Sequence, residues 1–203
     1  MPDRGWMARR ARDPYLQRAH RENYRSRAAF KLLEIQEKHQ ILRPGARVVD
    51  LGCAPGSWSQ VAAALVGANG RVIGLDLLPT DPIPGVELWQ ADFLAPTTRA
   101  RLREAFPGGC DVVLSDMAPH TTGVHHADSG NSCELVGLAL DLCTEFLAPG
   151  GHFVAKVFEG PEYKGLLDRA RRAFTHARSF APAASLKHSR EIFLVAREFR
   201  RGG

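Results

Sequence analysis

No stretch of this chain approaches the roughly 18 consecutive apolar residues that a bilayer-spanning helix requires. Its first thirty residues carry Arg and Asp where a secretory leader needs an apolar run. The expectation is therefore a chain that neither spans a membrane nor is exported by that route. Cysteine is scarce: Cys53, Cys110, Cys133 and Cys143 are widely spaced and form no C-x-x-C pair. That excludes a zinc knuckle or a disulfide framework and favours buried thiols in a reducing compartment. There is no internal repeat, low-complexity tract or interdomain linker, and 44% hydrophobic with 24% charged residues is the balance of a folded domain.

What is present fits one domain over residues 1–203, with a basic N-terminal extension over about residues 1–23. The net charge of +5 is uneven. Residues 1–31 carry nine Lys/Arg against three Asp/Glu and residues 164–203 carry ten against three, which leaves eight against sixteen in the middle. If both ends meet on one face they present a cationic stripe to a polyanion, while the acidic middle holds a small-molecule site. Solvated Arg-rich tails are the alternative.

Apolar periodicity from Tyr24 to Ile35 predicts a first helix with Ser26 as its N-cap. Short apolar runs then follow at Arg47–Leu51, Arg71–Leu75, Val86–Trp89, Asp111–Ser115 and His152–Val157, with helical stretches near 57–66, 97–105, 131–147 and 162–174 between them. Strands alternating with helices imply a doubly wound α/β fold, a mostly parallel sheet with helices on both faces. Glu191–Ala196 reads as a last, antiparallel strand, and 117–130 as the longest loop.

Asp50-Leu-Gly-Cys-Ala-Pro-Gly-Ser-Trp58 follows a predicted strand and opens a predicted helix, where doubly wound proteins bind nucleotide-like ligands. The third glycine of G-x-G-x-x-G is missing, so a pyrophosphate cradle is not supported and a nucleoside ligand fits better. Asp76, at the end of the second strand, can accept hydrogen bonds from ribose hydroxyls; Asp92, after the third, can accept from an adenine amino group.

With these residues in view, the chain resembles the S-adenosylmethionine-dependent methyltransferases, and more narrowly the FtsJ-type 2′-O-ribose methyltransferases of ribosomal RNA. The resemblance is carried by Tyr24–Glu34, Leu51–Gln60, Gly74–Leu77, Leu114–Pro119, Gly150–Lys156 and Ser189–Val195, and spans about residues 14 to 197. It implies a Rossmann-like sheet of seven strands and a cofactor site at Gly52, Gly56, Trp58, Asp76, Asp92 and Asp116. It further implies a catalytic Lys-Asp-Lys-Glu tetrad at Lys31, Asp116, Lys156 and Glu191, with no metal. Taken singly, these four would read as snorkelling lysines, a helix cap and a solvated strand start.

The chemistry asks for such groups. A ribose hydroxyl is a poor nucleophile, whereas a sulfonium methyl is already electrophilic, so in-line alignment and proton removal are what an enzyme must supply. Lys156, made neutral by burial and by the second ammonium of Lys31, would accept or steer the proton, with a purely positional Lys156 as the variant. Asp116 would hold Lys156, Glu191 would orient one lysine, and Lys31 would act on the hydroxyl or its neighbouring phosphate. RNA phosphates would be met by Arg9, Arg10, Arg12, Arg25 and Arg27 at one end and by Arg171, Arg172 and Lys187 at the other.

The chain departs from the family pattern at Ser57 and at Ala181 and Leu186, where relatives often carry Gly, Lys and Arg. His120, His125 and His126 read as part of a substrate-facing loop. The expected activity is 2′-O-methylation of a uridine in large-subunit ribosomal RNA on the assembled subunit, by a monomer in the bacterial cytoplasm, with the mitochondrion as the alternative location. A transfer-RNA methyltransferase of the same family, a non-catalytic ribosome-assembly factor and a nicotinamide-dependent oxidoreductase are the other readings.

Overall fold

The computed structural model describes residues 13–119, 123–185 and 189–201. Arg9, Arg10, Arg12, His120, Leu186 and Lys187 lie outside them. In chain order the elements are α1 (Pro14–Arg21), α2 (Ala28–His39), β1 (Arg47–Leu51), α3 (Ser57–Val66), β2 (Arg71–Asp76), β3 (Val86–Gln90) and α4 (Pro96–Ala105). After these come β4 (Cys110–Ser115), α5 (His125–Phe146), β5 (Leu147–Phe158), α6 (Tyr163–Ala173), β6 (Phe174–Phe180) and β7 (Glu191–Phe199). The strands form one seven-stranded sheet in the order β3-β2-β1-β4-β5-β7-β6. β1 to β5 are parallel, and β7 runs antiparallel to both β5 and β6.

Period-two alternation divides each inner strand between two apolar layers. Val48, Val72, Val112, Leu114, Val154, Phe193 and Val195 face α2 and α3, where Leu32, Ile35, Trp58 and Val61 complete one core. Val49, Leu51, Ile73, Val113, Phe153 and Leu194 join α4, α5 and α6 through Leu102, Val136, Leu140 and Leu166 in the other. Each such buried aliphatic side chain contributes about 1.5–3 kcal/mol of transfer free energy.

Local details correct the sequence expectations. Ser26 Oγ does accept the Ala28 N–H, at 3.2 Å, but helical geometry begins only at Ala28 and runs on to His39. The basic extension contains a helix, α1, capped by the Asp13 carboxylate on Tyr15 N and Leu16 N. Its Ala19 is buried against Phe30 and Ala184. α5 starts at His125 rather than 131, since its polar first turn shows no apolar period. The seventh strand that the resemblance implies, β6, has no run of its own in the sequence: it is an edge strand whose exposed Thr175, His176, Arg178 and Ser179 give no strand pattern.

Candidate active site

The strand order reverses between β1 and β4, so the crevice beyond their carboxyl ends is where a doubly wound sheet accepts a ligand. The glycine turn sits there. Gly52 N and Cys53 N both donate to Leu75 O, at 2.8 and 3.1 Å, which folds the turn back over the end of β2. Gly52 has φ +69°, and a Cβ on it would lie 2.3 Å from Met117 Cγ, so close approach across the switch point requires glycine. Gly56, at φ +113°, precedes α3, and a Cβ there would meet Ile83 Cδ1 at 2.4 Å. The first-turn N–H groups of α3, at Ser57, Trp58 and Ser59, have no acceptor within the helix and mark its positive end.

Asp76 Oδ2 accepts from Ala54 N and Oδ1 from Leu78 N, both at 2.8 Å, so this carboxylate shapes the turn while each oxygen keeps a lone pair for a hydroxyl. Asp92 Oδ1 is taken by Leu94 N at 2.8 Å, which leaves Oδ2 for a donor. Trp58 is placed differently from a ligand-facing ring. Its indole is buried, donates Nε1–H to Ala28 O at 2.9 Å, and packs 5.7 Å from the Phe193 ring. A ligand would meet this position through its backbone N–H, while the ring fixes α3 against α2.

The four charged residues come together as two desolvated ion pairs. Lys156 Nζ lies 2.9 Å from Asp116 Oδ1 and donates to Asp116 O at 2.6 Å, and Lys31 Nζ lies 2.6 Å from Glu191 Oε1. The Asp116 carboxylate contact is close but not aligned as a hydrogen bond, so the carbonyl is the directed acceptor. Side-chain exposures are 12% for both lysines, 11% for Glu191 and 20% for Asp116, low enough that water screens neither pair well. Register explains the convergence. Lys156 pairs with Phe193 and Phe158 with Glu191, so Lys156, Phe193 and Glu191 share the face on which α2 lies. Phe193 is the platform, 5.8 Å from Lys31 Nζ. Ser185 Oγ donates to Glu191 Oε1 at 3.2 Å, and Glu34 accepts from Ala183 N and Ala184 N at 2.6 and 2.9 Å, which anchors the chain entering β7.

One residue of this region escaped the site assignment. Asp50, fully buried on β1, accepts from Ser59 Oγ at 2.6 Å through Oδ2, while its Oδ1 has no partner among the described residues. Burial pushes its carboxyl up to about 7; the Ser59 hydrogen bond opposes this and the negative Asp116 and Asp76 add to it. A charged residue inside the run Arg47–Leu51 was the available signal. Cys53, beside it, has its thiol pushed up to about 12 by burial, and all four cysteines are buried and free.

The arginines assigned to RNA are engaged unequally. Arg25 and Arg27 are turned onto protein: Arg25 onto the carbonyls of Pro55, Asp81 and Pro82, Arg27 onto Asp13 and Ala184 O. Arg171 pairs with Asp168 at 3.2 Å and Arg172 is exposed. His125 and His126 open α5, with His126 Nδ1 3.5 Å from Glu162 Oε1. No helix among the described residues is long and apolar enough to cross a membrane.

The family model for FtsJ-like methyltransferases matches residues 24–199, nearly the whole chain and every site residue above. The chain belongs to the FtsJ-like methyltransferase family. Relatives named ribosomal RNA large subunit methyltransferase E include that of Paramagnetospirillum magneticum, 50% identical over 96% of this chain and 82% of its own length. That of Agrobacterium fabrum is 48% identical over 97% and 81%, and that of an Azoarcus species 46% over 97% of both. A crystal structure described as a ribosomal RNA methyltransferase from Plasmodium falciparum superposes with a TM-score of 0.77 at 31% identity, covering 87% of this chain and 98% of that one. The Rossmann-like sheet, with β7 antiparallel, is thus the methyltransferase arrangement anticipated from the sequence.

Proposed function

We propose that this FtsJ-like methyltransferase methylates large-subunit ribosomal RNA, and that it does so on a ribose 2′-oxygen, a uridine of the assembled subunit, with S-adenosylmethionine as donor. The observation that carries the reading is the pair of desolvated lysine–carboxylate contacts beside the glycine turn of the switch point. Cofactor fit rests on the glycine cradle closed by Met117, the first-turn N–H groups of α3, which meet no backbone acceptor among the described residues, and the spare lone pairs of Asp76 and Asp92. Gly52 and Gly56 would let the backbone approach the donor, Asp76 would take the ribose hydroxyls, Asp92 the adenine amino group, and Asp116 would serve the methyl-bearing end. S-adenosylmethionine supplies the electrophilic methyl group.

The chain's own residues supply alignment and proton handling. Lys156, whose Nζ donates to the Asp116 carbonyl beside its carboxylate, would present a donor position to an incoming hydroxyl oxygen and align it, the hydroxyl proton leaving to water as the new O–C bond forms and the sulfonium C–S bond breaks. Lys31, fixed by Glu191, holds the same hydroxyl or the adjoining phosphate. Because each lysine is paired with a carboxylate from another element, neither can move without breaking a desolvated ion pair.

The test is methyl transfer from labelled S-adenosylmethionine to undermethylated large subunits, free ribosomal RNA and transfer RNA in parallel, with Lys156→Ala as control and the labelled nucleotide mapped. Lys156-dependent label on a ribose of the large subunit supports the reading. Label on transfer RNA alone overturns the substrate, and no label on any RNA despite cofactor binding overturns the activity.

A further inference from the structure

Arg25 has an odd position for a residue of the basic amino-terminal region. Its guanidinium is turned onto three backbone carbonyls of its own chain. Nη1 donates to Pro55 O at 2.8 Å and to Asp81 O at 2.9 Å, and Nη2 donates to Pro82 O at 2.7 Å. Pro55 belongs to the glycine turn between β1 and α3, and Asp81 and Pro82 to the loop that follows Asp76. These two loops form the walls of the proposed donor site, and they are tied a first time where Asp76 Oδ2 accepts the Ala54 N–H. Arg25 ties them again further along both.

The same residue also reaches α3. Arg25 N donates to Gln60 Oε1 at 3.0 Å, Gln60 Nε2 donates to Asn23 O at 3.0 Å, and the Ser26 and Ser57 hydroxyls are 2.7 Å apart. The junction between α1 and α2 is thereby fixed to the first turn of α3, two residues before the start of the helix that carries Lys31. Gly56 makes room for the guanidinium, since a Cβ there would lie 3.0 Å from Arg25 Nη1.

We propose that Arg25 is a positioning residue for methyl transfer: a strut that holds the glycine turn and the loop after Asp76 at a fixed separation and sets the start of the Lys31 helix against them. The inference rests on the reading of Gly52–Gly56 and Asp76 as the S-adenosylmethionine site. The planar fork matters here as well as the charge. Guanidinium nitrogens in one plane can satisfy three carbonyls on two loops at once, and a lysine ammonium on a flexible stem cannot hold that geometry. With the strut gone, three carbonyls on two loops lose their shared donor and the loops must be ordered by the cofactor itself, which weakens binding rather than chemistry.

The experiment compares wild type, R25K, R25A and Q60A by calorimetric titration with S-adenosylmethionine, steady-state kinetics in both substrates, thermal unfolding, and the salt dependence of RNA binding. R25K and R25A are expected to raise the donor Kd and KM about tenfold, with kcat at saturating donor within about threefold of wild type. The slope of log affinity against log salt for RNA should be unchanged. Q60A, which unties the Arg25 backbone while leaving the guanidinium, should raise the donor Kd about threefold, and it serves as the second variant if R25A does not fold. Wild-type donor affinity in R25K and Q60A overturns the inference, as does an R25A protein whose RNA salt slope falls by about one while donor affinity holds, because that is the signature of a phosphate contact. A wild-type protein that binds no S-adenosylmethionine overturns the site reading itself, and the inference with it.

Discussion

Asp50→Asn offers a test whose size follows from the structure. The Asp50 carboxyl is fully buried, with one oxygen on Ser59 Oγ and the other without a partner among the described residues, and burial raises it from 3.8 to about 7. The native state therefore keeps this proton to higher pH than the unfolded chain does. Stability falls wherever the native state binds more protons, so wild type loses stability as pH rises from about 4 to about 7 and is level beyond about 8. A difference of about 3 pH units at about 1.4 kcal/mol each puts the whole loss at about 4 kcal/mol, of which about 3 kcal/mol falls between pH 5 and pH 8. Asparagine keeps an acceptor for Ser59 and cannot ionise. It also places an unsatisfied N–H₂ at the orphan position, a cost of about 1–3 kcal/mol that does not vary with pH. Urea unfolding of both proteins at pH 5, 6, 7 and 8 should show the variant gaining about 3 kcal/mol on wild type across that range, whatever its offset at pH 5. Every other titrating group is shared and cancels. Parallel pH profiles would refute the claim that Asp50 folds as a neutral acid beneath the glycine turn.

Other perturbations separate the parts of the site. Lys156→Ala should lower single-turnover methyl transfer by about 10²–10⁴-fold while leaving S-adenosylmethionine affinity within a few-fold, checked by rapid-quench kinetics and titration. Glu191→Gln leaves the Lys31 ammonium buried without its carboxylate, so unfolding free energy should drop by about 3 kcal/mol, and a change below 1 kcal/mol by chemical denaturation would contradict a desolvated pair. Gly52→Ala must place a methyl against Met117 at positive φ, and should abolish measurable donor binding with a stability loss of about 2 kcal/mol or more. Arg200→Ala removes a guanidinium that caps Arg171 O, Arg172 O and Phe174 O beyond the end of β7 opposite Glu191; it should cost about 1–2 kcal/mol by thermal unfolding with methyl transfer unchanged.

Most of the fold could be read from the chain because its inner strands are continuous apolar runs and its helices repeat at 3.6 residues. Both patterns are local, and both survive into the structure at β1, β2, β4 and α3. Candidate residues were legible for the same reason. Lys156 is a charge inside an apolar run, Asp116 and Asp76 end strands, and Gly52 and Gly56 bracket a strand-to-helix turn. The edge strand β6 was not legible, since a strand with one half-covered face and solvent along its free edge needs no alternation of its own.

Tertiary structure alone decided how these residues are partnered. Sequence order cannot say that Lys31 meets Glu191 across 160 positions while Lys156 meets Asp116; the antiparallel insertion of β7 between β5 and β6 and its register with β5 bring that about. Nor can composition say which arginine faces a phosphate and which faces its own backbone. Arg25 sits in a basic segment, yet its charge is consumed by three carbonyls of two loops that meet only once β1 and β2 lie side by side. Residue types and their spacing determined what chemistry this chain could carry. Long-range pairing determined which groups carry it, because hydrogen bonds and ion pairs act over a few ångströms and only the folded chain sets those distances.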